Sequence, residues 1–192
     1  MVDSKGAMQE NQKQPHERCT FRSGYFSSAY HAGIGRSDYI VYSSYMQFEL
    51  IPIPEDTSVF RLKFTSEHCR NLFDMWDTYY KAIGYHAPWV GYLALKDGVP
   101  VGSGAFTGRP VDGEVEVSYW AFQEFEGQGL GTDICKELVR LALMHDPKLK
   151  VFAKTMPQEN ASTNILRKNE FEYAGEVEDH EIGKAWKWVY RP

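Results

Sequence analysis

Three glycines at alternate positions separate a segment of alternating apolar residues from an amphipathic one, in the stretch Gly127-Gln128-Gly129-Leu130-Gly131-Thr132. Because glycine has no Cβ, its backbone can turn tightly and lie close to a bulky anion. The first turn of a following helix adds unpaired N–H groups and the positive end of the helix dipole. The Thr132 hydroxyl is a further donor. The stretch predicts a strand-to-helix turn that holds a phosphate or pyrophosphate, and a tight connection without a ligand is the alternative.

A dinucleotide-binding turn is a competing interpretation of the same glycines. That turn requires a glycine where Thr132 stands and a β-α-β unit at the start of the domain. Here several strands joined by hairpins come first. The sequence therefore argues against a Rossmann-type nucleotide-binding domain.

The chain divides into two regions of different character. Residues 1–45 are rich in Ser, Gly and Tyr without sustained periodicity, which predicts a polar N-terminal extension that is partly disordered. Residues 46–192 carry regular apolar patterns and predict one domain. The Asp97-Gly98 pair predicts a hairpin turn. Predicted strands are 59–64, 90–96, 99–107, 114–122, 150–154, 171–178 and 185–190, and predicted helices are 66–83, the segment after the glycine turn, and 160–169.

This order of elements predicts the fold class. A meander of antiparallel strands comes first, and a strand–helix–strand unit follows it. We therefore predict an α+β domain built on a mixed, mostly antiparallel sheet flanked by helices.

Charge, apolar runs and cysteine spacing indicate which classes of partner and which cellular location to expect for this chain. The 21 Lys and Arg residues against 26 Asp and Glu residues give a formal net charge of −5, which argues against nucleic acid as the main partner. No apolar run is long enough to span a membrane, and the first residues lack the apolar core of a signal peptide. Cys19, Cys69 and Cys135 show neither zinc-ligand spacing nor a paired framework, so we predict no metal, reduced thiols and a cytoplasmic location.

Two segments resemble the GNAT acetyltransferases, most closely the RimJ/RimL-type branch. Glu116-Val117-Ser118-Tyr119-Trp120, followed by 126–133, resembles the fourth strand and pyrophosphate loop of that family, and 157–171 resembles its second CoA-contacting helix. The resemblance covers roughly residue 57 to the C-terminus and implies acetyl-CoA as cosubstrate. The cofactor-binding residues that it implies are Ala121, Phe122, Gly127, Gln128, Gly129, Leu130, Gly131, Thr132, Asn160 and Asn164.

The chain departs from the family pattern at three places. Glu126 stands where Gln or Arg is usual, so backbone amides and the helix dipole would carry more of the phosphate binding. The usual Asn position holds Glu159 while Asn160 follows it, and either of them could face the cofactor. Glu170 replaces the glycine before the final Phe, which predicts that the helix ends without a left-handed cap.

The resemblance also implies the chemistry, in which an amine attacks the thioester carbonyl in a gap between two splayed strands. Glu116 is the candidate base, because strand alternation places it opposite the helix-packed valines and near the substrate, where burial would strengthen it. Many members carry a Tyr at the position of Leu166 as acid for the leaving thiolate. Tyr119 or Tyr173 could serve here, and a dedicated acid could be dispensable.

The sequence thus predicts an N-acetyltransferase that acts on a primary amine, either of a small molecule or of a protein N-terminus. A CoA-binding regulatory or interaction module with little turnover is the alternative. The aromatic segment 76–89 would border the acceptor and could hold an alkylammonium by cation–π contact, although core packing or a homodimer surface would explain it as well. Cys135 is predicted to lie in the core of the helix after the loop.

Overall fold

The computed structural model describes residues 47–180 and 182–192. Within them a seven-stranded sheet runs in the order β1-β2-β3-β4-β5-β7-β6, and only the β4–β5 pair is parallel. The strands are β1 (Phe48–Pro52), β2 (Gly91–Lys96), β3 (Val99–Phe106), β4 (Glu114–Ala121), β5 (Lys150–Thr155), β6 (Phe171–Asp179) and β7 (Gly183–Tyr190). The helices are α1 (Ser58–Lys63), α2 (Glu67–Ile83), α3 (Leu130–His145) and α4 (Ala161–Lys168). The predicted α+β fold with a mostly antiparallel sheet is confirmed.

The predicted strand over residues 59–64 is wrong, because residues 58–63 form α1. Alternation there is misleading: Val59 and Leu62 point to solvent at 68% and 84% exposure. Phe60 and Phe64, four residues apart, pack edge-to-face instead, with ring centroids 5.6 Å apart. Arg61 anchors the helix to α2 through an ion pair of 2.7 Å with Asp77. The edge of the sheet beside β2 belongs to β1, for which the sequence pattern suggested no strand.

Helices α2 and α3 cover opposite faces of the sheet. A Cβ on Gly91 would lie 2.1 Å from the Trp76 ring of α2, and a Cβ on Gly104 would lie 2.6 Å from Ile134 of α3. Gly91 pairs with Ala105, the neighbour of Gly104 in β3, so the two contacts lie on different faces. Such close approach requires glycine and fixes both helices tightly against the strands.

The end of α4 differs from the sequence prediction. Glu170 adopts the left-handed conformation with φ +63°, and its N–H donates to the carbonyl of Arg167 at 3.2 Å. The left-handed residue that follows the helix is therefore present, and a glutamate supplies it. An L-residue pays a steric penalty in this region.

The predicted N-terminal extension, residues 1–45, lies outside the described residues, as does Cys19. No helix in the described part of the chain is long and apolar enough to cross a bilayer.

Candidate active site

Strands β4 and β5 part in the middle of the sheet. Their parallel pairing ends at Glu116 and Phe152, while β4 stays paired with β3 to its end and β5 continues along β7. The splayed strands predicted from the family resemblance are therefore present. The separation opens a gap in the sheet beyond Glu116.

Backbone groups of β4 line this gap. The N–H of Phe122 donates to the carbonyl of Val101 at 2.9 Å, on the β3 side. Because successive residues of a strand direct their N–H and C=O groups to opposite edges, Tyr119 and Ala121 direct theirs towards the gap. An extended ligand lying in the gap can bond to them as a strand would.

The glycine turn leads from β4 into α3. Gly127 and Gly129 have φ values of +75° and +84°, a region that L side chains rarely adopt, and Gly129 is the N-cap of α3. The Thr132 N–H donates to the Gly129 carbonyl at 2.9 Å, so it is engaged within the protein. The amides of the turn before Thr132, together with the positive end of the α3 dipole, remain the groups predicted to bind an anion.

A cleft of about 480 Å³, which we call the glycine-loop cleft, lies between this turn and α4. Predicted cofactor-binding residues that line it are Ala121, Gly127, Gly129, Leu130, Gly131, Thr132 and Asn164. Glu126 lines it too and brings a negative charge, whereas Lys168 brings a cation that the sequence analysis missed. The sequence signal for this cation is the basic pair Arg167-Lys168 near the end of the predicted helix 160–169.

Two predicted cofactor residues near the turn are not brought to the cleft. Phe122 is buried, its carbonyl accepts from the Phe125 N–H at 2.8 Å, and its ring stacks on His68. The Gln128 side chain folds back and donates to the Glu124 carbonyl at 3.3 Å. Both side chains are therefore engaged within the protein, and the assignment of Phe122 and Gln128 as cofactor-binding residues, which concerns their backbone groups, stays a prediction.

Glu159 and Asn160, the two candidates for the usual Asn position, both interact within the protein, and the assignment of Asn160 as a cofactor-binding residue stays a prediction. The Asn160 side chain caps α4 by accepting from the Thr163 N–H at 3.1 Å, and the Thr163 hydroxyl completes a capping box. Glu159 forms a bidentate ion pair with Arg167. These two side chains organise α4, and it is Asn164 that faces the cleft.

A second cavity of about 470 Å³ lies on the α2 face of the sheet, and we call it the carboxylate pocket. Glu116, Ser118 and Trp120 of β4 line it, as strand alternation predicted, while Val115 and Val117 are buried on the α3 face. Trp120 lines both cavities. The glycine-loop cleft and the carboxylate pocket therefore meet at the end of β4.

Glu116 does not lie among apolar neighbours as expected. The Lys154 ammonium of β5 lies 3.0 Å from its Oε2 and 2.7 Å from Oδ2 of Asp179. Burial disfavours the charged lysine, but the hydrogen bonds to Asp179 and Glu116 outweigh this effect and raise the pKa of Lys154. The sequence analysis missed Lys154 and Asp179.

Tyr119 lies on the other face of β4 from Glu116 and lines the glycine-loop cleft. Its hydroxyl donates to the Ser162 carbonyl at 3.2 Å, and burial raises the pKa of Tyr119 well above its ordinary value. The hydroxyl is therefore protonated near neutral pH. Tyr173, the other tyrosine considered, is half exposed on β6 and packs against Trp186 and Trp188.

The aromatic segment 76–89 divides between core and pocket. Tyr80 and Trp89 are buried in the core, whereas Trp76 and Tyr79 line the carboxylate pocket. Cys135 is fully buried in α3, as predicted. In the described residues, no group of three or more His, Cys, Asp or Glu side chains is arranged to hold a metal ion.

Solved structures share this fold. The RimL ribosomal L7/L12 alpha-N-protein acetyltransferase with coenzyme A superposes with a TM-score of 0.55 at 17% identity, over 76% of this chain and 94% of that chain. The enzyme from Salmonella typhimurium that modifies the N-terminal serine of L7/L12 gives 0.54 at 15% identity, over 78% and 96%. The aminoglycoside acetyltransferase AAC(6')-Ib with coenzyme A gives 0.54 at 20% identity, over 74% and 94%. At these identities the likeness shows the fold alone.

No curated protein sequence matches the chain. The family model described as "Acetyltransferase (GNAT) domain" matches residues 43–172, which is more than half of the chain and contains β4, the glycine turn and α4. The chain belongs to the GNAT acetyltransferase family.

Proposed function

We propose that this protein transfers the acetyl group of acetyl-CoA to a primary amine, on a small molecule or at a protein N-terminus. The observation that carries the proposal is the meeting of two unlike cavities at Trp120, where β4 and β5 part. One cavity is built around an anion-binding turn and the other around carboxylates. Donor and acceptor would enter from opposite faces of the sheet and react in the gap.

The glycine-loop cleft fits the donor. Gly127 and Gly129 leave open space where a Cβ would stand, so a pyrophosphate can approach the backbone closely. Lys168 would add a favourable charge, and Glu126 an unfavourable one. The gap-facing amide groups of Tyr119 and Ala121 suit the amide-containing arm of CoA.

The proposed reaction needs few protein groups. The bound thioester supplies an activated carbonyl; the amine nitrogen forms a bond to that carbon as the carbon–sulfur bond breaks, and one proton leaves the nitrogen. Glu116 is the proposed base, on the acceptor side. Tyr119 is the proposed hydrogen-bond donor to the leaving sulfur, because its protonated hydroxyl lies on the donor side; in this role it would exchange its hydrogen bond to the Ser162 carbonyl for one to the sulfur.

The proposed substrates agree with what the structural neighbours bind. RimL is an alpha-N-protein acetyltransferase of ribosomal L7/L12, and AAC(6')-Ib has been solved with kanamycin. Both kinds of acceptor present a primary amine. The primary amine is the group that both kinds of acceptor share, and it is the only feature of their substrates that we propose for the substrate of this chain.

Release of free thiol tests the proposal. The protein is mixed with acetyl-CoA and a panel of amines that includes short peptides with free N-termini, simple alkylamines and an aminoglycoside. We expect thiol release that depends on at least one amine and rises above the rate without it. Saturable CoA binding without release for any amine would refute the transfer reaction and favour a CoA-binding module.

That alternative has one structural argument in its favour. Leu166, at the position where many members carry the acidic tyrosine, is fully buried in the core, so no side chain from that position reaches the sulfur. Protection of the protein against thermal unfolding by NAD or ATP, and none by CoA, would instead refute the CoA site.

A further inference from the structure

The carboxylate pocket contains an internal ammonium group. Nζ of Lys154 bridges Glu116 and Asp179, and all three side chains are largely buried. Both carboxylate oxygens lie within 3.0 Å of the same nitrogen, so they lie close to each other. Two carboxylates at such short range repel strongly unless a cation lies between them. The three groups together carry a single net negative charge.

Aromatic side chains form the wall of the same pocket. Trp76 and Tyr79 of α2 face the carboxylates across the cavity, and Trp120 closes it towards the gap. Trp76 is only 3% exposed, and its indole Nε1–H has no acceptor among the described residues. Aromatic faces next to a net negative charge favour a cation with a flat or apolar substituent.

Resting on the proposed function, we infer that this pocket selects acceptors with a single positive charge, and that Lys154 sets this selectivity by occupying the place of a second ammonium. Nζ of Lys154 already lies between the two carboxylates, 3.0 Å from Glu116 and 2.7 Å from Asp179, so a second ammonium on the acceptor cannot take that place.

The charges give the direction of the effect. A second ammonium on the acceptor would approach Lys154 inside a partly buried site, where like charges within a few ångströms repel by more than they do in water. Without Lys154 the repulsion becomes an attraction, because the second ammonium can then bridge the two carboxylates. Lys154 is therefore a specificity-determining residue and takes no part in the bond-making step.

Binding of two amines that differ by one charge tests the inference. Butylamine and 1,4-diaminobutane are titrated by calorimetry into the full chain with excess CoA, for the wild type, Lys154→Gln and Lys154→Arg. Lys150→Gln is the matched control, since Lys150 is an exposed residue of the same strand and does not line the pocket. We expect the wild type to bind the monoamine at least as tightly as the diamine. In Lys154→Gln the ratio of the two affinities should shift towards the diamine by about tenfold, which lies above the effect of a like charge at about 4 Å in water and below its effect in a partly buried site.

The charge-conserving variant Lys154→Arg and the control variant Lys150→Gln show whether a shift in the affinity ratio follows from loss of the Lys154 charge. Lys154→Arg should retain the wild-type ratio, because it restores the cation, and Lys150→Gln should leave the ratio unchanged. A ratio that does not move in Lys154→Gln, a wild type that prefers the diamine, or binding of neither amine overturns the inference.

Thermal denaturation of each variant checks that it is folded, and if Lys154→Gln is unfolded, a lost preference in Lys154→Arg overturns the inference as well. This experiment measures amine binding and not turnover. An absence of thiol release in the transfer assay therefore refutes only the proposed function. A ratio of the diamine and monoamine affinities that is the same in Lys154→Gln and the wild type refutes only this inference.

Discussion

Replacing Gly129 by alanine separates the cost of folding from the cost of binding CoA. Gly129 has φ +84°, and a Cβ built on it meets no atom within 4 Å, so the substitution strains the backbone without a steric clash. Gly98, in the turn between β2 and β3, has φ +78° and the same open surroundings. A left-handed L-residue costs about 1–2 kcal/mol. We expect both Gly129→Ala and Gly98→Ala to lower the melting temperature similarly, by roughly 2–8 °C for a domain of this size.

The two variants should differ in affinity for CoA. Gly129 lines the glycine-loop cleft, and Gly98 does not. A methyl group at Gly129 would stand between the backbone and the phosphate, weakening one charge-assisted hydrogen bond worth about 1.5–3 kcal/mol. This loss corresponds to CoA binding that is weaker by about tenfold to a hundredfold in Gly129→Ala.

Titration calorimetry with CoA, run beside thermal denaturation, measures both effects. The reasoning is refuted if Gly129→Ala binds CoA as tightly as the wild type, or if Gly98→Ala loses affinity to the same degree. The first result would remove the pyrophosphate from this turn. The second would show that the loss follows from general destabilisation.

The remaining predictions concern the proposed base, the end of α4 and buried groups that titrate at high pH. Glu116→Gln should lower kcat/KM for thiol release by about a hundredfold or more without weakening CoA binding, while Glu114→Gln, which lies outside the carboxylate pocket, should change it little; equal rates would exclude Glu116 as the base. Glu170→Gly should stabilise the protein by up to about 1 kcal/mol because it relieves a positive φ, and a lower melting temperature would contradict this. Burial raises the pKa of Tyr92 from 10.0 to about 12 and that of Cys135 from 9.0 to about 12. The unfolded chain thus loses these protons first, so the stability that is complete below pH 9 should fall as the pH rises, and a melting temperature that is constant from about pH 8 to pH 11 would refute it.

Local patterns were sufficient for most of the fold. The residues Thr65, Ser66 and Glu67 predicted that a helix begins at Thr65 or Ser66, and Ser66 is the N-cap of α2. The Asp97-Gly98 turn predicted the β2–β3 hairpin. The alternation along β4 correctly placed the valines on the helix-packed face. These signals depend on near neighbours in the chain, where residue type and backbone conformation are directly coupled.

The wrong prediction at residues 59–64 came from a tertiary effect. Phe60, Leu62 and Phe64 alternate with basic residues as in a half-buried strand. The segment nevertheless follows Thr57, whose hydroxyl donates to Asp77 at 3.0 Å. Arg61 joins the same carboxylate. These contacts hold the segment to a residue of α2 that lies 16 residues after Arg61 and 20 after Thr57, and no local pattern reports such contacts.

The carboxylate pocket was hidden from the sequence for a related reason. Alternation along β4 gave the face of Glu116, and alternation along β5 could have given the face of Lys154. Their contact, however, depends on β4 and β5 being parallel neighbours, which follows only when α3 is recognised as the crossover between them. Asp179 comes from β6, which reaches the pocket through its pairing with β7. A strand–helix–strand prediction implies that β4 and β5 are neighbours, but it gives neither their register nor the point at Glu116 and Phe152 where their pairing ends. The ion pair of Glu116 with Lys154 depends on both, so the charged surroundings of the proposed base follow only from the tertiary structure.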